Sequence, residues 1–125
     1  KGAIPLAAAS VDIIAMTSTL EHLGCPEHIA KEMHRLLRPG GIVFITVPDI
    51  RKYKWNFWND ITHKRPFTDK ALRFLFETHG FATVECCSYN HNLFMAGNLF
   101  PESVHRRLMR FRGDALLYVG RKPAP

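Results

Sequence analysis

Apolar positions along the chain fall into two patterns, short unbroken runs and stripes at helical spacing. Val11-Asp12-Ile13-Ile14-Ala15-Met16, entered through Ser10, is a nearly continuous apolar run without the alternation of a half-exposed strand. Such a run suits a strand covered on both faces, as in a parallel sheet. Strands of that kind lie in the interior of a sheet, so a neighbour on one side is expected outside these residues. Between Pro26 and Leu37, the residues Ile29, Met33, Leu36 and Leu37 form one stripe of an amphipathic helix. Pro26 suits its first position, Glu27 its positive end, Arg35 and Arg38 its other end, and Pro39-Gly40-Gly41 its stop. Ile42 to Val47 then predicts a second buried strand, ended by Pro48.

Asp49 to Pro66 reads as a long connection rich in aromatics and charge, with Tyr53, Trp55, Phe57, Trp58, Asp60, His63 and Arg65. Connections of this length are uncommon in compact domains and are often functional. Thr68 is expected to cap a helix running to His79, with Phe67 and Leu72 at the flanking staple positions and Gly80 as its stop. Phe81 to Tyr89 predicts a third strand, Asn90 to Gly97 a loop, and Pro101 to Phe111 a helix. Ala115 to Val119 predicts the last strand, followed by Arg121-Lys122-Pro123 as a fraying tail. Strands alternating with helices in this way predict an α/β layered sheet.

The length of 125 residues allows one small domain. No apolar run approaches the ~20 residues that a membrane-spanning helix requires. The net charge is +6, with basic residues concentrated at Arg51-Lys52-Tyr53-Lys54 and from His105 to Arg112. That balance suits nucleic acid, anionic lipid or an anionic small substrate, and equally a set of solvated faces. Cys25, Cys86 and Cys87 make a poor disulfide framework and match no zinc spacing. Neutral thiols fit a reducing compartment, and a cytoplasmic setting is the default expectation. The chain opens on Lys1 with no charged-then-apolar leader behind it, so a preceding segment is expected to have been removed.

Pro5-Leu6, Ser10-Val11-Asp12-Ile13-Ile14, Leu20-Glu21-His22-Leu23 and Leu36-Leu37-Arg38-Pro39-Gly40-Gly41, in this order, resemble class I S-adenosylmethionine-dependent methyltransferases. In that family the first segment leads into the fourth strand, a Glu-His pair follows it, and a Pro-Gly-Gly turn precedes the fifth. Phe57-Trp58-Asn59-Asp60-Ile61-Thr62-His63-Lys64-Arg65-Pro66 is similar to a subset of these enzymes, several of which act on sugars or lipid-linked saccharides. The resemblance implies the C-terminal half of a Rossmann-like methyltransferase sheet, with strands equivalent to 4-5-7-6 and the last strand antiparallel. Residues 1–125 are then a partial domain. The family's glycine-rich turn and its ribose-binding carboxylate, which belong to the N-terminal cofactor-binding half, find no counterpart in these residues.

The cofactor implied is S-adenosylmethionine, and the reaction is methyl transfer, O-methylation in the first instance, to a small-molecule or saccharide acceptor. By resemblance, Met16, Thr17 and Ser18 face the methionine end of the cofactor, at the carboxyl end of a parallel strand where ligands of such sheets sit. His22 and His63 are the candidate catalytic bases, because an imidazole exchanges protons near neutrality. Glu21, Trp58, Asp60 and Arg65 are the candidate substrate contacts. Each has a structural alternative: a hydrogen bond bracing the loop for the histidines, a carbonyl cap for Arg65, core anchoring for the aromatics. His22, His28 and His34 recur every six residues, but a helical step of ~100° turns six positions through ~600° and scatters them over separate faces, so no metal is expected.

Two other functions stay open at this stage. One is a basic nucleic-acid-binding module built on Arg51–Lys54 and Arg106–Arg112, the weaker of the partner readings; the other is a catalytically inactive structural relative. The strand beginning at Val11 is expected to expose an edge that a second copy could cover. The residues taken alone are expected to bind the cofactor poorly.

Overall fold

The computed structural model describes residues 3–90 and 113–124. Its elements are strand β1 (Val11–Thr17), helix α1 (Pro26–Leu36), strand β2 (Leu37–Pro48), helix α2 (Ile50–Tyr53), helix α3 (Asp69–Thr78), strand β3 (Ala82–Tyr89) and strand β4 (Ala115–Arg121). Two 3₁₀ segments, Leu20–His22 and Lys54–Asn59, lie in the connections. The strands form one sheet in the order β1-β2-β4-β3. β1 pairs parallel with β2, and β4 pairs antiparallel with both β2 and β3. Three strands therefore share one direction, and the last in sequence is inserted between β2 and β3 in the other. This is the α/β arrangement that the sequence implies. The expected loop after Asn90 and the helix Pro101–Phe111 lie outside the described residues, and no described helix is long and apolar enough to cross a membrane.

The core lies where α1 and α3 pack on the sheet. Val43, Ile45 and Val47 of β2 and Leu116 and Tyr118 of β4 are buried with Met33, Leu72 and Phe76 of the helices. Phe76 stacks on Tyr118 with ring centroids 4.6 Å apart. Each such side chain contributes about 1.5–3 kcal/mol by leaving water. The start of α3 is fixed as its sequence predicts: Thr68 Oγ1 accepts from the Ala71 amide, and Phe67 and Leu72 are both buried.

Helix α1 hands over directly to β2, which begins at Leu37 rather than at the expected Ile42. The Pro-Gly-Gly stretch thus belongs to the strand, where its two glycines do different work. Gly40 adopts φ +82°, a left-handed conformation that favours glycine. Gly41 has no room for a side chain, since a Cβ there would stand 2.8 Å from Leu37 Cδ2 and 2.9 Å from the Arg38 carbonyl oxygen. The tail does not fray as expected. Lys122 Nζ donates to the carbonyls of His34 (2.7 Å) and Leu37 (2.9 Å), placing a cation at the negative end of α1.

β1 departs from its expected double cover. It is an edge strand, bonded to β2 on one side only among the described residues. Val11, Ile14 and Met16 lean on the core, whereas Ile13 on the other face is 68% exposed. The apolar run is therefore half-covered here, with a bare face and a bare edge.

Ahead of β1, the Ile4–Leu6 segment is tied to α1 by one ion pair. Glu32 accepts from the Ile4 amide at 3.0 Å and from Arg35 Nε and Nη2 at 2.9 Å, and Arg35 also donates to the carbonyls of Leu6 and Ile4. The Arg35 guanidinium, with the Ile4 amide, holds the Glu32 carboxyl down at about 2.

Two outcomes are expected. Gly41→Ala lowers unfolding free energy in denaturant titrations by about 1–3 kcal/mol, the usual cost of overpacking, while Gly24→Ala, which meets open space, leaves it unchanged. Because folding depresses the Glu32 pKa, its stabilisation is complete above the ordinary value of 4.5 and fades as pH falls toward 2. The Tm gap between the native chain and Glu32→Gln should accordingly close across that acidic window; a gap independent of pH would refute the pairing.

Candidate functional site

At the carboxyl end of β1 the chain leaves the sheet through a strained turn. The Ser18 amide still donates to the Thr46 carbonyl at 2.9 Å, but Ser18 itself adopts φ +43°. A non-glycine residue held there costs about 1 kcal/mol or more. Met16 is half-buried against the core, while Thr17 and Ser18 are exposed. Leu20 then inserts into the core and Glu21 follows it inward, only 1% exposed, which directs His22 outward.

The long aromatic connection is folded back onto this turn. Its ends meet through a bridge between Asp49 and Phe67. Asp49 is buried and takes paired hydrogen bonds from Arg51 Nε (3.0 Å) and Nη2 (2.9 Å), and Arg51 reaches on to Asp69 at 2.9 Å. In the middle of the loop, Asp60 Oδ1 accepts from the amide and the hydroxyl of Thr62 at 2.8 and 2.6 Å, a local turn of the kind aspartate favours. The Glu21 carbonyl then accepts from the amides of Lys64 (2.9 Å) and Arg65 (3.1 Å). These bonds bring His63 to His22, with ring centroids 4.7 Å apart. Buried Phe57 stacks behind His63 at 4.3 Å, and half-exposed Trp58 meets Phe57 edge-on.

Hydrogen bonding fixes both imidazole tautomers. His63 Nδ1 lies 2.6 Å from the Phe57 carbonyl, which can only accept, so Nδ1 carries the proton. His22 Nδ1 lies 2.8 Å from Thr62 Oγ1, whose single hydrogen is already given to Asp60; His22 Nδ1 is therefore also the donor. Each neutral ring keeps a bare Nε2 lone pair. His22 Nε2 stands 3.9 Å from Glu21 Oε1, and His63 Nε2 stands 3.8 Å from Asp60 Oδ2, distances too long for hydrogen bonds. Burial pushes the Glu21 carboxyl up, and its Oε2 has no hydrogen-bond partner. The two Thr62 hydrogen bonds hold the Asp60 carboxyl down.

Of the residues singled out in the sequence, Glu21, His22, Asp60 and His63 converge here, and Trp58 borders them. Arg65 is positioned differently: its guanidinium pairs with Glu27 of α1 at 2.9 Å, beside a groove of about 470 Å³ lined by Pro26, Phe67 and Phe74. His28 and His34 lie on α1, away from the cluster in which donor atoms of Glu21, His22 and His63 fall within 4.8 Å of one another. In the basic loop Arg51 is committed to Asp49 and Asp69, while Lys52 and Lys54 are exposed; Arg106–Arg112 lie outside the described residues. Thr62 was missed. Its place two residues after Asp60 was the available signal.

Comparison with known proteins now bears on this geometry. Residues 5–86 match the family model described as a methyltransferase domain. The chain is 28% identical over 95 residues to a protein of Mycolicibacterium smegmatis named a probable S-adenosylmethionine-dependent methyltransferase, covering 74% of this chain and 37% of that relative. A crystal structure of a SAM-dependent methyltransferase from Archaeoglobus fulgidus superposes with a TM-score of 0.69 at 20% identity, over 94% of this chain and 62% of the other. One from Mesorhizobium loti gives 0.64 at 15% identity, over 94% and 64%. These two likenesses concern the fold. The family match spans the parallel pair, the Glu-His turn and the whole folded-back loop: the chain belongs to the methyltransferase domain family, whose cofactor is S-adenosylmethionine.

Proposed function

We propose that this chain forms the acceptor side of an S-adenosylmethionine-dependent methyltransferase that methylates a hydroxyl of a small molecule or saccharide. The observation that carries the reading is the convergence of His22 and His63, distant in sequence, beside the carboxyl end of β1. Open α/β sheets bind their ligands at that end. The edge of β1 that is unpaired among the described residues supports a further proposal, that another strand of the same sheet pairs with it, as residues 1–125 span only part of the relatives' lengths. A second copy of the chain is the competing cover for that edge. Three free cysteines are consistent with a cytoplasmic setting.

The residues present fit one flank of the cofactor. The left-handed turn at Ser18 leaves Thr17 and Ser18 exposed at the strand end, and Met16 to Ser18 would hold the methionine part. Bound there, the cofactor supplies a methyl group on a sulfonium sulfur, a good leaving group. What remains for the chain is alignment, worth up to ~7–11 kcal/mol in ideal cases, and removal of the acceptor proton. His22, the more open imidazole at 30% exposure, takes that proton on Nε2 in the metal-free protein. His63, 11% exposed, is the second candidate base and lies behind it; Asp60 orients His22 through Thr62, and the Phe57 carbonyl orients His63. Trp58 offers a flat apolar face on which a sugar ring can stack, while the Arg65 guanidinium, paired with Glu27, and the buried Glu21 carboxyl are not assigned as acceptor contacts.

Labelled methyl transfer by the native-length protein to a panel of alcohols, saccharides and amines tests this. His22→Gln should lower kcat by about 10²–10⁴-fold with the cofactor KM unchanged. Trp58→Ala should raise the KM for a saccharide acceptor and spare kcat. Full turnover in His22→Gln would remove the base, and methylation confined to amines would remove the hydroxyl reading. For residues 1–125 alone, calorimetry with S-adenosylmethionine should show no micromolar binding; micromolar affinity would mean that the rim at Met16–Ser18 holds the cofactor unaided.

A further inference from the structure

We propose that Glu21, His22 and His63 form a site for one divalent transition-metal ion of the zinc class, held by a Glu21 carboxylate oxygen and the Nε2 atoms of both imidazoles. The donor atoms of the three residues already lie within 4.8 Å of one another. Two ligands sharing a zinc ion at about 2.0–2.1 Å are about 3.4 Å apart in a tetrahedral site. The 3.9 Å between His22 Nε2 and Glu21 Oε1 needs to close by roughly 0.5 Å to reach that separation, and a pair at the 4.8 Å limit by roughly 1.4 Å.

Three independent features prepare these atoms for a cation. First, both Nε2 atoms are bare lone pairs, because both Nδ1 hydrogens are committed, to the Phe57 carbonyl and to Thr62 Oγ1. A metal-binding histidine is oriented in this way, its other nitrogen donating to a carbonyl or to a polar group that is itself held. Here Thr62 is held by Asp60, so a carboxylate–hydroxyl–imidazole relay stands behind His22. Second, Glu21 is a carboxylate at 1% exposure whose Oε2 has no hydrogen-bond partner. A buried carboxylate oxygen without a partner is costly, and a cation supplies the missing interaction. Third, two nitrogens and one carboxylate favour a zinc-like ion over magnesium or calcium, which prefer all-oxygen shells.

A three-ligand set leaves the fourth position open. A lone pair that holds an ion accepts no proton, so the loaded and metal-free chain are two chemical states of one site. In the loaded state the open position takes up a water or an acceptor hydroxyl and lowers its pKa as a Lewis acid. Binding of the ion itself depends on no step of methyl transfer, so it can be tested in the 125-residue chain alone.

The chain, stripped with chelator and titrated with Co²⁺, should develop the visible absorption of a tetrahedral site at one equivalent, and zinc should displace it. Glu21→Gln keeps the backbone carbonyl that pins the loop and should abolish stoichiometric binding with far-UV circular dichroism unchanged. Thr62→Val should weaken zinc by about 10–100-fold through the relay. Absence of the cobalt band, or a band that persists in folded Glu21→Gln, would overturn the site. Should Glu21→Gln lose its fold, Thr62→Val decides, and an unchanged zinc affinity there overturns the proposal. Methyl transfer that is indifferent to chelator, alongside a positive cobalt titration, would still support the metal site while separating it from the reaction.

Discussion

The site depends on one backbone carbonyl. Glu21 O accepts from two consecutive amides, Lys64 and Arg65, and so joins the main chain of the loop to the turn beside His63. Without those bonds the segment from Lys54 to Pro66 would keep its two meeting ends and side-chain holds such as buried Phe57 and the Thr62–His22 hydrogen bond, but no main-chain tie at its centre. With them, a turn that leaves the sheet after β1 and a loop that leaves it after β2 become one surface. Because these are main-chain bonds, substitution of the side chains at these positions leaves their donors and acceptor in place. The geometry is a property of the path of the chain, while the chemistry resides in the side chains that the path brings together.

Burial of the Glu21 carboxyl follows from the same arrangement. Leu20 must enter the core to anchor the 3₁₀ turn, and the residue after it is drawn inward with it. A glutamine would satisfy that geometry with less desolvation, and a leucine with none. Retaining a carboxylate there opposes stability, as its raised pKa records. Such local conflicts between packing and chemistry mark the places where a structure serves something other than its own stability.

The fold was largely legible in the sequence because its signals are local. Unbroken apolar runs, the stripe from Ile29 to Leu37 and the Thr68 cap each specify an element without reference to the rest of the chain. What was misread depended on distant partners. The double cover expected of Val11–Met16 is a property of neighbours, and the described residues supply them on one face only. Lys122 looked like a loose tail because the carbonyls it caps belong to residues more than eighty positions earlier. The same limit applies to the site. His22 and His63 can each be named from the sequence, but not their contact, and the visible six-residue period of His22, His28 and His34 points to no shared metal. The ligating set that the structure offers joins a turn to a loop, and no sequence period describes that.

The loop can carry such a cluster because it is held at three places. At its base, the Asp49 carboxylate is buried beneath the Arg51 guanidinium, which continues to Asp69 at the start of α3. At its far end, Phe67 bridges back to Asp49 and enters the core. Between these lies the Glu21 staple. Each hold removes freedom that an irregular segment would otherwise keep, so the imidazoles and carboxylates lose little further entropy when a ligand arrives. The bare side chains, Trp55, Trp58 and Ile61, stand on the part of the loop that no hold covers. The polar cluster of His22, His63 and Glu21, with half-exposed Trp58 linked to it through Phe57, is the arrangement expected where polar groups set orientation and an aromatic face supplies contact area.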